Sequence, residues 1–155
     1  MPKTKIIDKI YFWKVRGEEY GCFSNFSPHS ITVEGKRYST SEHYYQSKKF
    51  EGTEYEEKVR TCSARPIDAF KMGKDQKLPI RKDWEDIKED VMMKALKAKF
   101  IQHPQLKKKL IETGDKEIIE DSPYDSYWGI GKDKTGKNRL GSLLMELRTE
   151  LLKDK

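Results

Sequence analysis

Residues 23–50 read FSNFSPHSITVEGKRYSTSEHYYQSKKF, and this stretch decides how the chain folds. It opens with a Phe-Ser-Asn-Phe loop. Ile31-Thr32-Val33 and Lys36-Arg37-Tyr38 flank Glu34-Gly35, which reads as a hairpin whose glycine supplies a positive φ. A helix over residues 41–50 follows. Ser39 stands three residues before Glu42 in S-x-x-E capping-box spacing, and Gly52 stands just past the end, where a left-handed residue costs little. On that helix Glu42, Tyr45, Gln46 and Lys49 are i, i+3, i+4 and i+7, so they share one face. A face that packs on a core is aliphatic. This one offers a carboxylate, a phenol, an amide and an ammonium, which suits a polar ligand. Spacing leaves a second account of Glu42 open, because a Glu at the third helical position of a capping box is fully explained by capping.

Working outward, residues 6–15 are rich in β-branched and aromatic side chains and read as a first strand, with a turn over 18–21. Downstream, Thr53 and Glu56 form a second capping box and open a short helix to Cys62. Pro66 sits in the first turn of another helix, which stops at Gly73. Asp83 can cap the longest helix, with Trp84, Ile87, Val91, Ala95 and Ala98 at helical spacing and Met92, Leu96 and Phe100 widening the stripe. Pro104 ends it and opens a helix carrying Leu106 and Leu110, stopped at Gly114. Residues 117–120 read as a short strand. The last helix, over 138–152, puts Leu140, Leu143, Leu144, Leu147 and Leu151 on one core stripe. Without βαβ alternation, this order predicts an α+β fold. It is mostly helical and a single domain over 1–155, with a few short N-terminal strands and a long C-terminal helix.

The totals bound the function. The chain has 155 residues, 37% of them charged, and a formal net charge of +6. Such a balance favours anionic partners: phosphorylated metabolites, dinucleotides or nucleic acid. A soluble basic surface explains it equally well. Lys107, Lys108 and Lys109 read as a solvated helix face unless they join Lys94, Lys97 and Lys99 in space as a nucleic-acid footprint. Cys22 and Cys62 form no C-x-x-C pattern, so small buried apolar roles and a reducing, cytoplasmic setting are expected. No apolar run approaches a signal peptide or a membrane span, so no membrane partner is expected. His29, His43 and His103 show no metal-ligand spacing, and neither a metal nor another cofactor is expected.

The second informative stretch is residues 122–141, SPYDSYWGIGKDKTGKNRLG. Tyr124, Tyr127 and Trp128 can stack on a base or ring. GKDKTGK nearly matches a phosphate-binding P-loop. Asn138 replaces the hydroxyl that would hold magnesium, and no apolar strand precedes it. The glycines, lysines and helix N-terminus still predict an anion site.

Four segments, residues 21–50, 64–100, 125–131 and 136–148, together resemble the YbiA/NADAR family, in family order. That family consists of small N-glycosidases linked to NAD, ADP-ribose and riboflavin metabolism. The resemblance implies hydrolysis of an N-glycosidic bond between a (phospho)ribose and a base-like amine. Such a reaction passes through an oxocarbenium-like transition state and needs a carboxylate near the anomeric carbon. By resemblance that carboxylate is Glu42, and Trp84, Asp125 and Trp128 belong to the pocket, Asp125 with a catalytic part. By spacing alone Trp84 is equally the first core residue of its helix. Phe23, Ser24 and Asn25 would line the pocket, with Tyr45, Tyr127 and Gly129 in contact with substrate. Asn138 and Arg139 would bind phosphate or ribose hydroxyls. Lys49 has three open roles: a point charge for phosphate, an ion-pair partner, or an amine forming a Schiff base with the opened sugar. The family implies two substrate classes, phosphoribosylamino-pyrimidine intermediates of riboflavin synthesis and ADP-ribosylated guanine in nucleic acid. The alternative is a non-catalytic module that binds ADP-ribose, a dinucleotide or nucleic acid.

Overall fold

The computed structural model describes residues 8–154. Along the chain run β1 (Lys9–Phe12), β2 (Ile31–Val33), β3 (Lys36–Tyr38), α1 (Ser41–Lys48), α2 (Glu54–Arg60), α3 (Pro66–Gly73), α4 (Trp84–Gln102), α5 (Pro104–Glu112), β4 (Glu117–Glu120) and α6 (Arg139–Lys153). The fold is α+β and mostly helical, as the sequence predicts. The chain divides into two compact units, one formed by Asn25–Leu106 and the other by Met1–Ser24 with Lys107–Lys155.

The Asn25–Leu106 unit begins with the hairpin. Ile31 pairs with Tyr38 and Val33 with Lys36, and both Glu34 (φ 51°) and Gly35 (φ 80°) are left-handed. Two such residues make the tight turn whose twist matches its strands. Ile31, Val33 and Tyr38 bury one face against Tyr44 of α1 and Ala95 of α4, with the Tyr38 and Tyr44 rings edge to face at 5.1 Å. A second core gathers Phe50, Val59 of α2 and Ala69 of α3. The cap of α1 differs from expectation. Thr40, not Ser39, is the N-cap, and its hydroxyl accepts from the His43 amide at 3.2 Å. Asp83 precedes α4 without capping it, because Arg81 holds both its carboxylate oxygens at 2.6 and 3.0 Å. The buried stripe of α4 is Trp84, Met92, Ala95, Leu96 and Phe100. Ile87, Val91 and Ala98 are only partly buried, so the core face is rotated toward the residues that widen the predicted stripe.

In the other unit, β1 and β4 pair in parallel, Lys9 with Glu117 through Phe12 with Glu120. Strands are therefore not confined to the N-terminal part. Of the strand expected over 6–15, residues 9–12 form it, 13–15 leave it, and 6 and 7 lie outside the described residues. Helix α6 packs on β4, and Leu140, Leu143, Leu144, Leu147 and Leu151 are all buried. Each such leucine contributes about 1.5–3 kcal/mol.

Candidate functional site

Helix α1 is buried from Ser41 to Ser47, yet few of those residues are apolar. Its polar face is therefore held by specific bonds. Glu42 is only 6% exposed and Gln46 3%. The Gln46 amide donates to Glu42 Oε2 at 2.6 Å. Glu42 is the second helical residue and the cap belongs to Thr40, so capping does not account for Glu42. Its carboxylate turns along the helix to its i+4 neighbour. Gln46 Oε1 is buried and has no hydrogen-bond partner among the described residues.

The neighbouring segments bring an aromatic pair and a cation to this face. The Arg81 amide donates to the Lys49 carbonyl at 2.8 Å, which draws residues 74–83 past the end of α1 and delivers Trp84. The Tyr45 and Trp84 rings meet edge to face at 5.0 Å. Trp84 is 5% exposed, so it is a core residue that also borders this face. The Lys49 ammonium lies over both rings, 5.7 and 5.9 Å from their centroids, and donates to the Gly73 carbonyl at 3.1 Å. Burial pulls Lys49 below the usual lysine range; Glu42 opposes the shift and Lys74 adds to it. That is the direction an amine nucleophile requires. Asn25 belongs to the same unit, with its amide engaged at both ends. It donates to Met92 Sδ at 3.2 Å and accepts from Ser41 Oγ at 2.7 Å. Its carbonyl accepts from the Glu42 amide at 3.2 Å. Asn25 thus pins its loop to the start of α1.

The remaining expected residues belong to the other unit. Phe23, expected on a pocket wall, is fully buried and packs on Phe12 and Tyr20 instead. Ser24 is buried, and its amide donates to the Gly21 carbonyl. Asp125 Oδ1 accepts from the Tyr127 and Trp128 amides at 2.9 and 2.8 Å, which folds the loop so that the two rings stand edge to face at 5.0 Å. Gly129 allows close backbone approach, since a Cβ there would lie 2.8 Å from the Glu120 carbonyl oxygen. Asn138 was expected to bind phosphate or ribose. Its side chain instead accepts from the Glu120 amide and donates to the Ile118 carbonyl, both at 2.9 Å, fastening β4. At the predicted anion site before α6 the first backbone donors are engaged as well. The amides of Asn138, Arg139 and Leu140 already donate to the carbonyls of Gly129, Tyr127 and Trp128, leaving them none for an anion. Tyr124 is 86% exposed and reaches Trp13 at 5.9 Å. This unit also has an open hollow of about 580 Å³, lined by Tyr11, Trp13, Glu18, Tyr20 and Asp121 among others. None of the expected site residues lines it.

His43 is fully buried, meeting Thr40 Oγ1 at 2.8 Å and the Ser63 carbonyl at 2.7 Å. Among the described residues, no three His, Cys, Asp or Glu side chains converge as a metal site. Cys22 is half-buried and Cys62 exposed, so neither is the buried apolar residue expected. Lys99 is fully buried and Lys94 pairs with Glu34 at 2.7 Å, so these two do not extend the Lys107–Lys109 run into a nucleic-acid footprint.

Two residues at the Glu42 face had no assigned role in the sequence. Gln46 was visible on the polar face by its spacing. Gly73 was legible only as a helix stop, because its approach to Gln46 is a tertiary contact.

A NADAR domain model matches residues 11–152, and the chain belongs to the NADAR family. It is 47% identical over 148 residues to the N-glycosidase YbiA of Escherichia coli, covering 96% of this chain and 92% of that protein. It is 41% identical over 142 residues to a riboflavin biosynthesis protein of Vibrio vulnificus, covering 92% of this chain and 38% of that one. The solved NMR structure of E. coli YbiA superposes with a TM-score of 0.88 at 44% identity, over 97% of this chain and 89% of that one.

Proposed function

We propose that this chain hydrolyses the N-glycosidic bond between a phosphorylated ribose and a flat, amine-bearing base, with the Glu42 carboxylate serving the anomeric carbon. The reaction class, hydrolysis of N-glycosyl bonds, comes from the N-glycosidase relative named above. The observation that carries the role of Glu42 is its burial and its 2.6 Å bond from Gln46. A carboxylate withdrawn from water stabilises an oxocarbenium ion more strongly than an exposed one, and it can orient or deprotonate the attacking water. Tyr45 and Trp84 supply aromatic surface beside it, and Lys49 supplies a cation for phosphate. Asp125, Trp128 and Arg139 are candidates by family resemblance alone, and this reading does not lean on them.

For the substrate, the riboflavin biosynthesis relative favours phosphoribosylamino-pyrimidines. Cys22 and Cys62, far apart in sequence and in no C-x-x-C pattern, suit a reducing compartment such as the cytoplasm. The test is direct. The protein is incubated separately with phosphoribosylamino-pyrimidine and with an oligonucleotide carrying ADP-ribosylated guanine, and product release is followed. Release of phosphoribose from the first, at a rate that dominates the second, is expected. Turnover of the oligonucleotide alone would move the substrate class to nucleic acid. Binding of either without turnover would favour a non-catalytic module.

A further inference from the structure

We infer that Gln46 and Gly73 form a positioning device for Glu42: the Gln46 amide orients the carboxylate, and Gly73 holds the amide in place. This rests on the reading of Glu42 given above. The Gln46 Nε2–Glu42 Oε2 bond is 2.6 Å, between two side chains one turn apart and both almost wholly buried. With one oxygen fixed, the carboxylate cannot turn freely about its last torsion.

The amide orientation is costly in one respect, because Gln46 Oε1 has no hydrogen-bond partner among the described residues. Turning the amide over would not help, since it would set Oε1 against a carboxylate oxygen, two acceptors facing each other. The fold keeps the donor on Glu42 and leaves the carbonyl unsatisfied. An unsatisfied buried group in a native structure needs such an explanation.

Gly73 explains why the amide stays. A Cβ at this position would lie 1.8 Å from Gln46 Oε1, 2.4 Å from Cδ and 3.1 Å from Cγ. The glycine therefore backs the outer length of that side chain. Gly73 is helical and does not have a positive φ, so its backbone would accept alanine, and helix propensity would favour it. The glycine is needed for the close approach. Its carbonyl also receives the Lys49 ammonium, so one residue at the end of α3 fixes both partners of the face.

The test is a double-mutant cycle with Gly73→Ala, Gln46→Ala and the pair, read as kcat, KM and the pH profile of kcat/KM on phosphoribosylamino-pyrimidine, with the melting temperature as a control. Gln46→Ala and Gly73→Ala should each lower kcat by about 10- to 100-fold, the scale of a hydrogen bond to a charged group, with KM nearly constant. The acidic limb should move to higher pH, because a carboxylate that loses a donor is harder to ionise. Lys49, the cation coupled to Glu42, is unchanged in Gln46→Ala. In the double variant, the shortened side chain at position 46 leaves room for the new methyl, so Gly73→Ala should cost nothing further. Wild-type kcat and an unmoved acidic limb in Gln46→Ala would overturn the inference even if Gly73→Ala fails to fold. Independent, multiplicative losses would overturn it too. Glu42→Gln separates the two claims. If it is fully active, the catalytic reading itself fails; if it is inactive while Gln46→Ala and Gly73→Ala match wild type, only the positioning inference fails.

Discussion

Lys48 and Lys49 are adjacent in sequence and opposite in chemistry. Burial lowers the pKa of Lys48, but Glu56 at 2.7 Å and Glu51 at 3.3 Å outweigh it and raise the value above the ordinary one. Lys49 meets a backbone carbonyl and two aromatic faces, and burial lowers its pKa. An amine-selective acylating reagent should therefore label Lys49 at a lower pH than Lys48, read by peptide mass analysis. Lys49→Ala should lower binding or turnover by about 10-fold or more, while Lys48→Ala should leave turnover unchanged. Borohydride added during turnover distinguishes the roles of Lys49: an adduct on it marks a Schiff base, and no adduct leaves phosphate binding. Equal activity of both alanine variants and wild type would remove Lys49 from the site. Helical spacing alone placed Lys49 on the face of Glu42, because that relation is local. The opposite shifts of the two lysines depend on Glu56, Gly73 and Trp84, which come from three other elements.

At the scale of elements, the sequence was most legible where chemistry is local. The hairpin, the Pro66 and Pro104 helix starts and the leucine stripe of α6 all appear as read, since turn glycines, prolines and 3.6-residue spacing act over a few residues. The start of α1 at Ser41 was read correctly, and its capping residue was misread by one position. Ser39 and Thr40 are both good caps, and burial of Thr40 against His43 selects between them. The pairing of β1 with β4 was not legible, because no periodicity links residue 9 to residue 117. The capping region also sets a pH response. Burial holds His43 below 6.5, against the Ser63 carbonyl and Asp68. Burial, Lys99 and His103 hold His29 below the same value. Below pH 6.5 the unfolded chain therefore binds protons that the folded chain refuses, and stability falls as pH falls through that range. Urea melts at pH 7.5 and pH 5.5 should show a lower midpoint at pH 5.5. His43→Gln and His29→Gln should each flatten the difference. An unchanged pH difference in both would contradict the assignment.

Across the whole molecule, the net charge of +6 is a poor guide to partners. Lys48, Lys94 and Lys36 lie in ion pairs and Lys99 is buried, so these cations are structural. The Asn25–Leu106 unit is an insertion within the other unit's sequence, and the NADAR match runs through both. Composition could not show that division, since neither a linker nor a shift in residue usage marks it. The resemblance in the motifs was enough for family and reaction class. It did not show the bond of Asn25 to Met92 or those of Asn138 to Ile118 and Glu120, whose partners lie outside their own segments.

The account stands most directly on Glu42. The measurement is kcat for Glu42→Gln on phosphoribosylamino-pyrimidine, with thermal melting alongside. Thr40 supplies the cap of α1, so the variant should keep its helix and melt close to wild type. Loss of the charge at the developing oxocarbenium ion should lower kcat by about 100- to 1,000-fold. Normal melting with normal turnover would contradict the account.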